Sequence, residues 1–228
     1  MFESKYSKVL TIILVIVIVA IVILLGFLAF DYIKKFNTTK QASDFVETYQ
    51  GDITTTGEQN TTENTTIAEN VTLDGLDSTP TTNTTTGGTS TKKTYQGFTV
   101  VGTMKIPTIN LEYPIVEEVT TKALETALVA LYPSPDNINL PGNSVIIGHN
   151  YRNGLFFSNL KKLSNGAKIY VTDYRGKTVT YEVYNKFEAS STDTSFYNRD
   201  TNGLAELTLS TCTDASNDQR TIIFAKQI

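Results

Sequence analysis

The hydrophobic pattern begins with one long apolar run, followed by a polar stretch and then by many short apolar segments. Residues 9–30 carry no charge and are dominated by Ile, Val and Leu. As a helix this run spans roughly 33 Å, enough to cross a hydrocarbon core of about 30 Å. We predict a transmembrane anchor at 9–30 behind a short N-terminus at 1–8. A cleaved signal peptide fits less well, because its apolar region usually has only about 7–15 residues before a small-residue cleavage site.

A polar stretch follows, and we predict a disordered linker over residues 31–94. From Gly51 onward it is dominated by Thr, Asn, Gly and acidic residues, and its few apolar residues show no sustained period. Such a segment cannot bury enough apolar area to offset the entropy of ordering it. Its first part, to about Tyr49, is compatible with a short helical extension.

The remaining residues, 95–228, have the size of one domain and a β-rich pattern. Polar and apolar residues alternate strictly through Thr178-Val179-Thr180-Tyr181-Glu182-Val183, a pattern that is typical of a half-buried strand. Short β-branched and aromatic runs bounded by turn residues predict strands at 98–107, 111–116, 145–149, 167–172, 178–187, 204–211 and 221–225. Strands at this spacing indicate an all-β barrel or sandwich.

Two segments of this domain have a helical period. Leu124, Leu128 and Leu131 fall on one face of a predicted helix at 121–131, which the following prolines would end. Residues 153–163 predict a second, shorter helical turn.

The composition argues against some classes of function and structure. The net charge is −4 and no basic cluster is present, which argues against a nucleic-acid partner. The single cysteine excludes an intramolecular disulfide framework. Lys5 and Lys8 on one side of the apolar run balance Lys34 and Lys35 on the other, so the positive-inside rule does not decide its orientation.

The only cysteine and the only histidine each end an apolar, strand-like run, and an arginine opens the next one. Cys212 needs a neighbouring cation to become a thiolate, His149 is suited to protonating a leaving amine, and Arg220 to stabilising an oxyanion. Together they predict acyl transfer through a thioester. Each also has a structural interpretation: a small apolar core residue, a turn residue and a solvated surface charge, respectively.

The segment Thr208-Leu209-Ser210-Thr211-Cys212, with Arg220 eight positions on and Gly148-His149 upstream, resembles the sortases, membrane-anchored cysteine transpeptidases of Gram-positive bacteria. The resemblance covers about residues 102–228 and implies an eight-stranded β-barrel. It implies that Cys212 attacks the peptide bond after Thr in an LPxTG-like sorting signal of a surface protein. His149 would act as acid and base, and Arg220 would position the substrate and stabilise the oxyanion. By position, Ile147 and Ser210 correspond to groove-lining sites.

The resemblance also implies partners and topology. A cell-wall precursor amine or a pilin lysine would resolve the thioester, with no cofactor. The N-terminus would lie in the cytoplasm and the catalytic domain at 95–228 outside the cell. The carboxylates Glu112, Glu117 and Glu118 are compared with the calcium site of some class A sortases, but no metal is predicted.

The class of sortase stays open. Gly148-His149-Asn150 and the serine before Thr211 are similar to class B, whereas the segment between His149 and Cys212 is short for that class and resembles classes A, D and E. No Asp-Pro-aromatic lid element precedes the barrel, which argues against class C.

Three rival interpretations are less consistent with the chain. An L,D-transpeptidase has arginine almost directly after its cysteine and a further histidine, and a papain-like hydrolase has its cysteine before its histidine. From another class, the chain would be an anchored surface-binding module in which Cys212 is inert.

Overall fold

The computed structural model describes the backbone of residues 5–58 and 91–228, and side chains within 10–51 and 91–228. The chain forms two compact units, one ending at Asp44 and the other running from Phe45 to Ile228.

A single long helix, α1, spans Lys5–Glu58. The stretch Leu10–Gly51 is long and apolar enough to cross a membrane, and its most apolar 18-residue window has a mean hydropathy of 3.6. The large apolar side chains from Leu10 to Phe36 are exposed to solvent. Exposing so many apolar groups to water is unfavourable, so α1 is a candidate membrane anchor.

The sequence pattern is compatible with a helical extension only to about Tyr49, whereas in the structure the helix continues to Glu58, into the linker predicted to be disordered. Extending a helix that has already formed costs far less than nucleating one, so the apolar run promotes helix in the residues that follow it. The buried side chains of Val46 and Tyr49 add packing that composition does not reveal. The rest of the predicted linker, at 59–90, lies outside the described residues, as do residues 1–4 of the predicted N-terminus.

Residues 91–228 form nine strands, most of them at the predicted positions. Their bounds are β1 Thr94–Tyr95, β2 Phe98–Ile106, β3 Leu111–Val116, β4 Leu128–Tyr132, β5 Gly142–Ile147, β6 Lys168–Asp173, β7 Thr178–Ser190, β8 Ala205–Cys212 and β9 Gln219–Gln227.

The strand order is β1-β2-β3-β4-β5-β8-β9-β7-β6, and β6 pairs in turn with β2. Strands β2 to β9 therefore close into the predicted eight-stranded barrel, while the two-residue β1 pairs only with β2. The barrel interior is apolar: Ile146, Leu209 and Ile223 occupy paired positions of β5, β8 and β9, and all three are completely buried.

The helix predicted at 121–131 is wrong over most of its length. Helix α2 spans only Thr121–Leu124, where the Thr120 hydroxyl accepts a hydrogen bond of 3.1 Å from the Ala123 amide as an N-cap. Leu128 and the residues after it form β4 instead, between β3 and β5. A short apolar run flanked by buried strands gains more from sheet pairing than from continuing a helix, and periodicity alone does not separate the two. The turn predicted at 153–163 is a 3-10 helix at Phe157–Lys162.

A second apolar cluster includes the C-terminal part of α1. We call residues 45–51 the helix tail. Tyr49 of this tail is buried together with Tyr95, Val100, Val116, Ala123, Ala127 and Val129. Phe45 and Ile147 pack against the same cluster, which therefore reaches the end of β5.

Candidate active site

The thiol and the guanidinium meet across two neighbouring strands. Cys212 ends β8 and lies opposite Arg220 in the antiparallel pairing with β9. Arg220 Nη1 donates a hydrogen bond of 3.3 Å to Cys212 Sγ. The same nitrogen also donates to the carbonyl oxygens of Asn217 and Gln219, which fixes the guanidinium beside the sulfur. Because arginine is always charged, it places a positive charge beside the sulfur.

The histidine reaches the same end of the barrel through a parallel strand pair. Strands β5 and β8 run in the same direction, and their last paired residues are Ile147 and Ser210. His149 and Cys212 each follow two positions later. The Thr211 hydroxyl donates a hydrogen bond of 2.7 Å to the Gly148 carbonyl, and the Gly148 amide donates one of 3.3 Å to Ser210. These bonds join the histidine segment to the cysteine strand.

Asn150 is a site residue that the sequence interpretation did not single out. Its side-chain Nδ2 donates to the Cys212 carbonyl at 2.9 Å and to Asp214 Oδ1 at 2.8 Å. The Arg152 guanidinium adds a bond of 3.3 Å to the Thr213 carbonyl. The only sequence signal for Asn150 is its position directly after the histidine. Its contacts hold Cys212 and the residues directly after it against the loop that carries His149.

Strand β8 is covered by other side chains at Thr208, four positions before the cysteine. Thr208 is completely buried, and its hydroxyl donates to Asn143 Oδ1 at 2.9 Å and accepts from Arg199 Nη1 at 3.0 Å. Arg199 also forms an ion pair of 2.6 Å with Glu206. It thereby fastens the β7–β8 connection over this part of β8. Cys212 itself is only partly buried, whereas Thr208 on the same strand is fully covered.

Burial lowers the pKa of the His149 imidazole below its ordinary value, and the negative charge of Glu125 partly opposes this effect. Desolvation disfavours the charged form of a histidine. At neutral pH the ring is therefore mainly uncharged and able to accept a proton.

The two residues predicted to line the groove lie two positions before His149 and Cys212, respectively. Ile147 and Ser210 are register partners on β5 and β8, so their side chains share one face of the sheet. Ser210 is nearly buried, and Ile147 packs against the cluster that includes the helix tail.

The carboxylates compared with a calcium site have protein partners. Glu112 forms an ion pair with Lys105, Glu117 pairs with Lys92 at 2.6 Å, and Glu118 accepts a hydrogen bond from the Thr99 amide at 2.8 Å. Within residues 5–58 and 91–228, no group of three or more His, Cys, Asp or Glu residues is arranged to hold a metal ion.

Comparisons with known proteins agree with this arrangement. The family profile described as "Sortase domain" matches residues 104–228. The chain is 27% identical over 133 residues to Sortase A from Bacillus anthracis, covering 55% of this chain and 58% of that protein. It is thus similar to little more than half the length of that relative.

Solved structures show the same likeness. Sortase A from Corynebacterium diphtheriae is 30% identical with a TM-score of 0.52, over 57% of this chain and 61% of that chain. Sortase C-1 from Actinomyces oris is 26% identical with a TM-score of 0.52, over 57% of this chain and 74% of that chain. The profile covers more than half of the sequence and includes the histidine, the cysteine and the arginine described above. The chain therefore belongs to the sortase family.

Proposed function

We propose that the chain is a membrane-anchored cysteine transpeptidase that cleaves an LPxTG-like sorting signal after its Thr and transfers the protein to an amine. The observation that carries this proposal is the hydrogen bond from Arg220 Nη1 to Cys212 Sγ. A cation in contact with a partly exposed thiol is the environment of a reactive cysteine rather than of a buried structural one. The inert cysteine of a binding module would need no such partner.

The first half of the reaction forms the thioester. His149 accepts the proton of the Cys212 thiol, and the thiolate attacks the carbonyl carbon of the Thr residue in the sorting signal. The resulting oxyanion lies near the Arg220 guanidinium, which stabilises its charge. His149 then donates its proton to the leaving amine, the C–N bond breaks, and the acyl group stays on sulfur.

The second half transfers the acyl group. A cell-wall precursor amine or a pilin lysine attacks the thioester carbonyl, and His149 accepts the proton that this amine loses. The C–S bond breaks, the thiolate leaves, and a new amide joins the surface protein to its acceptor. Ile147 and Ser210 contact the sorting signal at the groove floor beside Cys212.

The anchor fixes where this chemistry takes place. Helix α1 crosses the membrane once, with Lys5 and Lys8 in the cytoplasm and the catalytic unit outside the cell. This topology brings the thiol to the surface where both exported proteins and wall precursors are found. The support is the apolar stretch at Leu10–Gly51 and membership of a family of membrane-anchored enzymes.

The test is to trap the thioester. The full chain in detergent micelles is mixed with a fluorogenic LPxTG-like peptide, and mass spectrometry follows the protein. We expect the wild-type protein to gain the mass of the acyl fragment on Cys212 and to release the amine product, and Cys212→Ala to do neither. His149→Ala and Arg220→Ala should reduce turnover by at least about 10²-fold, the cost typical of losing one oxyanion donor.

Release of the amine product by Cys212→Ala at the wild-type rate would overturn the proposal. Peptides with altered motifs and different amine acceptors, analysed in the same way, define the sorting motif and the nucleophile.

A further inference from the structure

A chain of aromatic rings leads from the barrel to the catalytic histidine. Tyr113 on β3 stacks on Phe156 with ring centroids 4.8 Å apart. Phe156 meets Tyr151 edge-on at 5.7 Å, and Tyr151 lies against His149 with centroids 4.8 Å apart. The first two rings are almost fully buried, whereas Tyr151 is 43% exposed. The series therefore connects a rigid part of the barrel with the imidazole.

The loop between β5 and the 3-10 helix at Phe157–Lys162 carries His149, and its backbone is folded so that these rings meet. Asn150 forms an isolated antiparallel bridge with Phe156, and its Oδ1 accepts a hydrogen bond of 3.0 Å from the Arg152 amide. Phe156 has φ 49° and ψ −128°, a conformation that costs free energy for a residue with a side chain. Such a conformation persists only where the surroundings over-determine it. Here the packing of Phe156 between the two tyrosines does so.

No hydrogen bond from another described side chain or backbone group orients the His149 imidazole. Its backbone is held, since its carbonyl accepts from the Phe157 amide at 3.0 Å, but this leaves the side-chain torsions free. Among the described aromatic rings, Tyr151 is the one that contacts the imidazole, and this packing restricts how far the imidazole can turn. We propose that Tyr151 is a positioning residue, whose ring lies 4.8 Å from the His149 imidazole at an interplanar angle of 36° and holds it in the orientation needed for proton transfer at Cys212.

The electrostatics of the two rings agree with close packing. Burial is the main cause of the lowered pKa of His149 and of the raised pKa of Tyr151. The negative charge of Glu125 acts upward on both pKa values. A ring that shields the imidazole from water contributes to that burial. Removing it should bring the His149 pKa upward toward its ordinary value.

This inference rests on the proposed function for its kinetic consequence. An imidazole that samples several orientations spends less time in line with the proton it must move, and small misplacements of catalytic groups cost up to about 10²-fold in rate. The sorting signal itself is not bound by Tyr151 in this view. Loss of the ring should therefore lower kcat and leave KM nearly unchanged.

His149 is the only histidine of the chain, so its titration can be measured without assignment. The full chain, labelled with ¹³C-histidine and kept in detergent micelles, is titrated by NMR, and cleavage of the LPxTG-like peptide is measured across the same pH range. Tyr151→Ala removes the ring, Tyr151→Leu keeps apolar bulk without a flat face, and Tyr151→Phe keeps the ring. Tyr170→Ala is the matched control, a partly buried tyrosine on β6, which is separated from β8 by β9 and β7.

We expect Tyr151→Ala and Tyr151→Leu to raise the titration midpoint of His149 and to lower kcat roughly ten- to hundred-fold at a constant KM. Tyr151→Phe should restore both to wild-type values, and Tyr170→Ala should change neither. An unchanged midpoint in a folded Tyr151→Ala protein would overturn the inference, whether or not kcat falls. The NMR titration does not depend on turnover, so it tests the inference even if the wild-type chain cleaves no sorting peptide. Absence of cleavage by the wild-type chain would count against the proposed function alone.

Discussion

Gly148 determines how closely the histidine segment approaches the barrel. A Cβ atom at this position would lie 2.7 Å from Leu128 Cδ2 and 2.9 Å from Phe157 Cδ2, closer than carbon atoms pack. Both neighbours are completely buried, so neither has room to move. Glycine is therefore required directly before the catalytic histidine for steric reasons.

We predict that Gly148→Ala lowers the free energy of unfolding by about 1–3 kcal/mol, the usual cost of overpacking. It should also lower peptide cleavage, because His149 must shift with its neighbour. Urea unfolding of the full chain in detergent and the peptide assay measure the two effects. Gly51→Ala is the control, since a Cβ there meets nothing within 4 Å. Wild-type stability in Gly148→Ala would show that the two buried side chains can yield.

His149 and Cys212 were predicted as site residues because each is the only residue of its type and ends an apolar run, and Arg220 because it opens the next run. Their contacts were not. Asn150 acts on the Cys212 carbonyl, 62 positions away in sequence, whereas Tyr151 contacts two rings of its own loop, those of His149 and Phe156. A linear pattern carries no sign of such contacts until the loop conformation is known.

At the scale of elements, the helix tail forms part of the catalytic unit. Tyr49 is 2% exposed within a cluster that extends to Ile147 at the end of β5. Phe45 contacts the ring of Tyr95 with centroids 4.9 Å apart. The tail therefore covers apolar surface beside the proposed substrate groove.

We predict that Tyr49→Ala lowers the free energy of unfolding of the barrel by about 3 kcal/mol, as expected for truncating a buried aromatic residue. It should also weaken peptide binding through the loosened Ile147. Denaturant unfolding and KM measurements test this prediction. Tyr32→Ala, an exposed tyrosine of the same helix, is the control. Equal stability of the two variants would mean that the tail contributes nothing to the fold.

Strand β4 shows where sequence patterns reach their limit. Leucines at 124, 128 and 131 fit a helical face, yet the residues from Leu128 onward form a strand. Its position between β3 and β5 is set by long-range pairing, which overrides local propensity. The alternating or continuous apolar runs of the other strands had no competing helical period, and those predictions were confirmed.

At the scale of the whole molecule, the sequence separates an apolar run, a polar stretch and a β-rich domain. It places the start of the domain at residue 95, whereas the compact unit begins at Phe45. The difference arises because the tail and the barrel are adjacent in space but separated by a polar stretch in the sequence. The residue composition of a segment indicates whether that segment can fold, but not which other segment packs against it.

We predict that the full chain remains in the membrane fraction after an alkaline carbonate wash, because removing its apolar run from lipid would expose about 20 hydrophobic residues to water. A variant lacking residues 1–40 should be released and should still cleave the peptide. Retention of that variant in the membrane would point to another attachment. Loss of cleavage in the released variant would mean that the catalytic unit needs residues before 41.

Strand β9 lies between β8 and β7, although it comes last in chain order among the described strands. Until β9 is paired, β7 and β8 each keep an unpaired edge, and it is this strand that carries Arg220. The contact between the guanidinium and the sulfur therefore exists only when the barrel is closed between β8 and β7. Closure of the barrel and completion of the proposed nucleophile's charged surroundings are thus one structural event.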